Sequence, residues 1–392
     1  MTQSTDGYTA RTWTPLRSSN LQVTLRAFLD GEVFTVSEVA HRTGLSRPTA
    51  QLAVQELAAA GWLTTAETTG EGNARAGRPA NAYRLRPEAG HVLGIDMGAH
   101  KALVLVSDLA GTIVAERRCE IQPTWTFQRR LTQLDETVEE ALRDVGLTAD
   151  DIECAAIATP GVVDHDSRVT YAPAIPEWEG IDLRTHMREV FGIDAHVYND
   201  MQLAAVAEHW RGAGQEANDV VYVHVGRRVG TGLLIGGRPH RGRDGAAGEI
   251  GLWRGLPWEG AFEELVGDGS PVDAEDAGQG DAVQRVFERA KLGDADAAAR
   301  IDQFTRRLVT GIAPVIVTVN PELVVIGGGI SAAGEAIRQP IDRRMPGETA
   351  FPPRVVCSVL GDRSSAIGAM RMALNHAEQT LFDSIDSRTS SR

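Results

Sequence analysis

From residue 91 onward, short apolar β-branched runs alternate with stretches of helical periodicity, and this alternation restricts most of the chain to an α/β architecture. The first pair of runs, HVLGIDMGAHKALVLV at residues 91–106, flanks a tight Asp-Met-Gly-Ala-His turn. Further strands are expected at IECAAIATPG, DAHVYND, DVVYVHVG, GTGLLIGG and ELVVIGGGI. Helices are expected near 126–145, 200–212, 284–291, 295–318, 332–344 and 364–376. Gly-punctuated hairpins occur in both halves of this body, without a short-period repeat.

The 90 residues before the body have a different character. NLQVTLRAFLD (20–30) and VSEVAHRT (36–43) read as short amphipathic helices, followed by TGLSRPTAQLAVQELAAAGWL. There, Gly44 marks a turn, Ser46 is an N-cap, and Pro48 falls in the first helical turn, where its missing N–H costs nothing. Ala50, Val54 and Leu57 recur at helical spacing and should face a three-helix core, leaving Ser46, Arg47, Thr49, Gln51 and Gln55 free for a DNA groove. Residues 62–86 read as a β-wing with an ARAGRPA tip, whose Arg78 suits a narrow minor groove.

Charge supports the division. Residues 1–90 hold 9 Arg and no Lys against 8 acidic residues, a balance of +1, while the remainder holds 30 basic and 45 acidic residues, a balance of −15. A mildly basic head on an acidic body fits a docked DNA contact rather than general polyanion binding. The boundaries read as a disordered 1–17, a winged helix-turn-helix at 18–88, a body at 91–378 with lobes of roughly 91–198 and 199–378, and a flexible tail at 379–392. No run approaches the roughly 18 apolar residues of a membrane span. The N-terminus lacks an apolar signal core. Cys119, Cys154 and Cys357 lie far apart, so neither a disulfide framework nor a zinc cluster is expected, and a cytoplasmic setting fits.

Carboxylates and amides supply the chemistry of the body. A carboxylate at a hairpin turn, as at Asp96, can hold Mg²⁺ through water, and Gly98 admits backbone N–H groups to a phosphate, although a plain hairpin turn explains both residues alone. Asn199, Asp200 and Glu249 can exchange hydrogen bonds with sugar hydroxyls, which both donate and accept. The alternative is that Asn199-Asp200 caps the following helix and Glu249 is a loop carboxylate.

ATPGVVD (158–164), VYNDMQLAAVAEHWRGAG (197–214), VGTGLLIGGRPHRGRDGAAGEIGLW (229–253) and NPELVVIGGGI (320–330), with the winged head, resemble the ROK family of repressors and sugar kinases. The resemblance covers roughly residues 18–376 and implies a two-lobed actin-like ATPase fold with a ligand cleft between lobes. It implies phosphate hairpins at Asp96/Gly98 and Gly230-Thr231-Gly232, and an adenosine-side loop at Gly327-Gly328-Gly329. It also implies a sugar-lining loop at Thr159-Pro160-Gly161, sugar contacts at Asn199, Asp200 and Glu249, and Asp200 in the catalytic-base position.

Departures from the pattern separate sensor from enzyme. The usual Asp-x-Gly-Gly-Thr hairpin is Asp96-Met97-Gly98-Ala99-His100 here, and two Arg of GRRV (226–229) precede the second turn. Leu252 stands where the family has His, and WRGLPWEGAFEELVG contains neither Cys nor His. Tetrahedral zinc needs four such ligands, so no structural zinc is expected, and Trp253, Trp258, Phe262 and Leu265 are expected to hold the loop. The reading is a sugar-responsive transcriptional regulator, most simply a repressor, which binds operator DNA as a homodimer or tetramer and requires no cofactor. The alternative is an Mg-ATP-dependent sugar kinase using Asp200 as base. A third is a DNA binder with a vestigial body.

Overall fold

The computed structural model describes residues 14–28, 32–66, 81–175, 177–226, 228–253, 257–258, 260–267 and 276–390. The head consists of α1 (Thr14–Arg26), β1 (Phe34–Thr35), α2 (Val36–Thr43), α3 (Arg47–Ala59), β2 (Leu63–Ala66) and β3 (Ala82–Leu85). A capping box starts α2: the Thr35 hydroxyl accepts from the Glu38 N–H at 3.4 Å, and the Glu38 carboxylate accepts from the Thr35 N–H at 2.7 Å. Gly44 ends α2 in the left-handed region at φ +71, and Ser46 caps α3. Ala50, Val54 and Leu57 pack with Leu25, Phe28 and Val39 in one buried cluster. Central β3 pairs antiparallel with β1 and β2, which gives the winged form.

The first lobe comprises β4 (His91–Met97), β5 (Lys101–Asp108), β6 (Ile113–Glu120), α4 (Phe127–Asp144), β7 (Ile152–Thr159), β8 (Val162–Val163), β9 (Val169–Tyr171), α5 (Leu183–Phe191) and β10 (Ala195–Asn199). Its sheet order is β6-β5-β4-β7-β10. The hairpins β4–β5 and β5–β6 are antiparallel, and β7 and β10 join parallel. After α6 (Asp200–Arg211), the second lobe adds β11 (Val220–Val225), β12 (Val229–Ile235), β13 (Arg238–Pro239), α7 (Ala261–Val266), α8 (Asp276–Lys291), α9 (Ala295–Val319), β14 (Leu323–Gly327), α10 (Glu335–Glu348) and β15 (Arg354–Cys357). Its order, β13-β12-β11-β14-β15, repeats the first lobe strand for strand. Two antiparallel hairpins followed by two parallel strands, built twice, form the two-lobed actin-like body.

The final helix, α11 (Ser364–Ser390), returns to the first lobe, where Ala366, Met370 and Ala373 pack on β4, β7 and α6. Glycines permit this close approach. A Cβ on Gly94 would lie 2.5 Å from the Met370 nitrogen, and one on Gly368 only 1.8 Å from the Leu203 carbonyl oxygen. The expected lobe of 199–378 is therefore divided, its last helix covering the other lobe's sheet. With α4 and α5 on the opposite face, β4 is buried along nearly its whole length. Helix α1 begins at Thr14 and α11 continues to Ser390, so both reach into segments expected to be irregular. Among the described residues, no helix is long and apolar enough to cross a membrane.

Candidate functional site

At the junction of β10 and α6, Asn199 ties both lobes together. Its Oδ1 accepts from the Gln202 N–H at 3.0 Å, capping α6. Its Nδ2 donates to the Gly161 carbonyl and to Glu249 Oε1, each at 2.9 Å. The capping role and the cleft position are thus one arrangement rather than alternatives, and both amide hydrogens are used. Gly161 has φ +103, and a Cβ there would lie 2.2 Å from the Tyr171 carbonyl oxygen. Pro160 beside it is half-buried. Thr159 is fully buried and its hydroxyl accepts from Trp178 Nε1 at 2.8 Å, which places it beneath the cleft surface rather than along it.

A second-lobe loop crosses the cleft to meet these residues. Arg241 donates to the Val163 and Asp164 carbonyls at 3.2 and 2.6 Å, and the Gly242 carbonyl lies 2.9 Å from His165 Nε2. Gln202 Nε2 donates to the Gly245 carbonyl at 3.1 Å, and the Thr231 hydroxyl to that of Gly248 at 2.6 Å. These bonds fix the approach of Glu249, whose carboxyl is raised above the ordinary carboxylate range by burial.

Asp200, the first residue of α6, has its pKa pushed up to about 8, first by burial, then by the Asp96 and Glu249 carboxylates, despite a 2.9 Å hydrogen bond from the Met201 N–H. It holds its proton at neutral pH and can both donate to and accept from a hydroxyl. Asp96 is buried at the end of β4 with Lys101 Nζ 3.6 Å away. The same ammonium lies 3.5 Å from Asp362, whose carboxylate also accepts from Arg118 at 2.5 Å. Among the described residues, no group of three or more His, Cys, Asp and Glu side chains is placed to hold a metal ion.

Residues 92–376 of the chain match the ROK family. The chain belongs to the ROK family. A xylose repressor of Caldicellulosiruptor bescii is 23% identical over 390 residues, spanning 92% of this chain and 97% of the relative. The dual regulator NagC of Escherichia coli is 28% identical over 310 residues, 72% of this chain and 75% of NagC. A ROK family transcriptional regulator, a homolog of the E. coli MLC protein, superposes with a TM-score of 0.73 at 19% identity, covering 95% of this chain and 99% of that one. The ROK family glucokinase from Streptomyces griseus, solved with glucose and AMPPNP, gives 0.61 at 25% identity, covering 73% of this chain and 100% of its own.

The glycine motifs of this ROK body take varied positions. Gly98 turns the β4–β5 hairpin, its N–H donating to the Lys101 carbonyl at 2.9 Å. Arg130, not singled out from the sequence, is fully buried and binds the carbonyls of Ala99, Gln122, Pro123 and Trp125, fixing that hairpin tip. Gly230, Thr231 and Gly232, expected as a phosphate turn, lie inside strand β12. A Cβ on Gly232 would meet the Met201 carbonyl oxygen at 1.9 Å, so this glycine admits the first turn of α6. Gly327 ends β14 against Tyr222, Gly328 has φ +75, and Gly329 opens a short 3₁₀ turn. Arg227 of GRRV lies outside the described residues, and Arg228 is exposed.

Of the four side chains expected to hold the shortened loop, Phe262 and Leu265 are buried, and Trp258 lies against Gly311. Trp253 does not join them; it is 60% exposed. Its backbone instead follows a short 3₁₀ turn from Glu249, which carries the ring away from the α7 core.

In the head, Arg47, Gln51 and Gln55 are exposed and share one face of α3 at four-residue spacing. Ser46 Oγ accepts from the Thr49 N–H at 3.3 Å and lies 2.7 Å from Thr49 Oγ1, so both hydroxyls serve the cap first. Exposed Leu52 adds an apolar group near that face, overlooked because it broke the polar pattern. Arg78 lies outside the described residues.

Proposed function

We propose that this ROK protein is a carbohydrate-responsive transcriptional repressor, in which the interlobe cleft senses the ligand and the winged head binds operator DNA. The observation that carries this reading is the joining of an exposed α3 face, with Arg47, Gln51 and Gln55, to a cleft whose Asn199–Glu249 node spans both lobes. Whole-chain similarity to a xylose repressor supports it, since the S. griseus glucokinase matches 73% of this chain. Asp200, Glu249 and the remaining Asn199 lone pair supply acceptors, and protonated Asp200 supplies a donor, for sugar hydroxyls. Two heads on a symmetric oligomer would meet half-sites about one helical turn apart, so a small lobe rotation would misplace them.

The kinase reading draws on Asp200 and Asp96. Against it, the hairpin reads Asp96-Met97-Gly98-Ala99-His100 and Leu252 replaces the family's His, and a divalent ion beside Asp96 would be repelled by the Lys101 ammonium 3.6 Å away. The loop after Glu249 offers no Cys or His for zinc. The proposed repressor therefore works without zinc or Mg-ATP. A gel-shift titration on operator fragments selected from genomic DNA, with a panel of mono- and oligosaccharides, tests the reading. At least one sugar should change operator affinity by about 5–150-fold. DNA binding that ignores every sugar would count against it, as would Mg-ATP-dependent phosphorylation of a sugar that disappears in Asp200→Asn.

A further inference from the structure

The polar node has an apolar neighbour. Directly after Glu249, residues Ile250–Leu252 form a 3₁₀ turn, with the Leu252 and Trp253 N–H groups donating to the Glu249 and Ile250 carbonyls at 3.1 and 3.0 Å. The turn is pressed against the start of β12, because a Cβ on Gly251 would lie 2.6 Å from the Val229 carbonyl oxygen. This anchored turn presents Leu252 at 43% exposure and Trp253 at 60%. Tryptophan is normally well covered, and among the described residues every other tryptophan is buried or half-buried. At the 3₁₀ rise of about 2 Å per residue, four residues place the Trp253 backbone about 8 Å from that of Glu249. Across the node, Tyr171 is 42% exposed, and its carbonyl packs against Gly161, the residue that accepts from Asn199.

We propose that Leu252 and Trp253 form an apolar second subsite, on which the C–H face of a further sugar ring stacks while the first ring occupies the Asn199–Asp200–Glu249 node. The natural ligand is therefore an oligosaccharide or glycoside rather than a free monosaccharide. This rests on the carbohydrate-sensing reading and narrows its ligand class. Pyranose rings expose hydroxyls at the rim and C–H groups on the faces, so a polar pocket followed by an indole plane suits two linked rings. Ligand sites combine a few fixed polar groups with aromatic surface in this way. The Leu252 side chain has no polar atom with which to bind a hydroxyl, but it extends the apolar plane.

Binding of xylose, glucose and N-acetylglucosamine, each compared with its β-1,4-linked disaccharide, tests the proposal by calorimetry on the full chain. The best disaccharide should bind at least about 10-fold tighter than its monosaccharide, close to 1.4 kcal/mol. Trp253→Ala should bring that ratio to within about 2-fold while leaving monosaccharide affinity unchanged, and Trp253→Phe should retain most of it. A wild-type ratio near one, or a ratio preserved in Trp253→Ala, overturns the second subsite while the sensing reading stands. Absence of binding by all six sugars overturns the sensing reading and this inference together. Iodide quenching of Trp253, followed as the wild-type to Trp253→Phe difference, should be independent of protein concentration. Protection that grows with concentration would make the patch an interface between copies and also overturns the proposal.

Discussion

A carboxyl group that keeps its proton to about pH 8 imposes a cost on the fold that grows with pH. Asp200 has this property because burial and the neighbouring Asp96 and Glu249 carboxylates disfavour its charge. Its folded-state pKa lies above the unfolded value of 3.8, so its favourable contribution is complete below about pH 4 and is lost as pH rises through about 8. Asp200→Asn removes this titration. The variant should match wild type near pH 4 and exceed it in melting temperature at pH 8.5, as read by calorimetric unfolding across that range. Equal pH slopes in the two proteins would refute the assignment. Individual residues were unevenly legible in sequence. Asn199, Asp200 and Glu249 stood out as a sugar-compatible set, but the bonds that fix them did not. Lys101 meets Asp362 from 261 positions away in the chain, and Thr231 in β12 reaches Gly248 in a loop 17 positions further on. Nothing in local spacing encodes such pairs, since tertiary packing alone selects them.

Among the elements, α3 was the most readable. Ser46, Pro48 and the Ala50–Val54–Leu57 spacing fixed its start and inner face, because capping and periodicity are local properties. Arg47→Ala should weaken operator binding and reduce the salt slope of log affinity by about 1, the signature of one lost phosphate contact. Gln55→Ala should instead cost about 1–3 kcal/mol at one base pair and relax preference there. Gel shifts at two salt concentrations against single-base operator variants separate the two, and unchanged affinity for both variants would show that α3 does not enter the groove. Strand β12 shows where reading fails. A glycine that makes room for a phosphate and one that makes room for the α6 backbone look the same in sequence, since both simply lack a Cβ. The return of α11 was equally hidden, because periodicity reports that a helix has an apolar face but not which sheet that face will cover.

Across the whole molecule, α6 links the candidate cleft to the head. Its N-cap is Asn199, and its far end carries Trp210 and Arg211, about 18 Å away at 1.5 Å per residue. Both side chains press on the β5–β6 turn, where a Cβ on Gly111 would lie 3.0 Å from the Trp210 ring and 2.9 Å from the Arg211 guanidinium. Two residues earlier, Leu109 is buried in the head's core and its N–H donates to the Pro87 carbonyl at 3.1 Å. A rotation of α6 on ligand binding would therefore reach the head through one turn. Trp210→Ala should leave sugar affinity and ligand-free operator affinity near wild type, yet reduce the sugar-induced change in operator affinity by about 0.5–2 kcal/mol. Paired titrations with and without sugar measure this, and undiminished coupling would exclude the route. The return of α11 to the first sheet also has a consequence for synthesis. Strand β4 emerges early from the ribosome, but the helix that shields one of its faces is made only after the second lobe. An interrupted chain would display an uncovered greasy surface to chaperones and proteases, so prematurely ended copies should be cleared before they can occupy DNA with a head that no sugar controls.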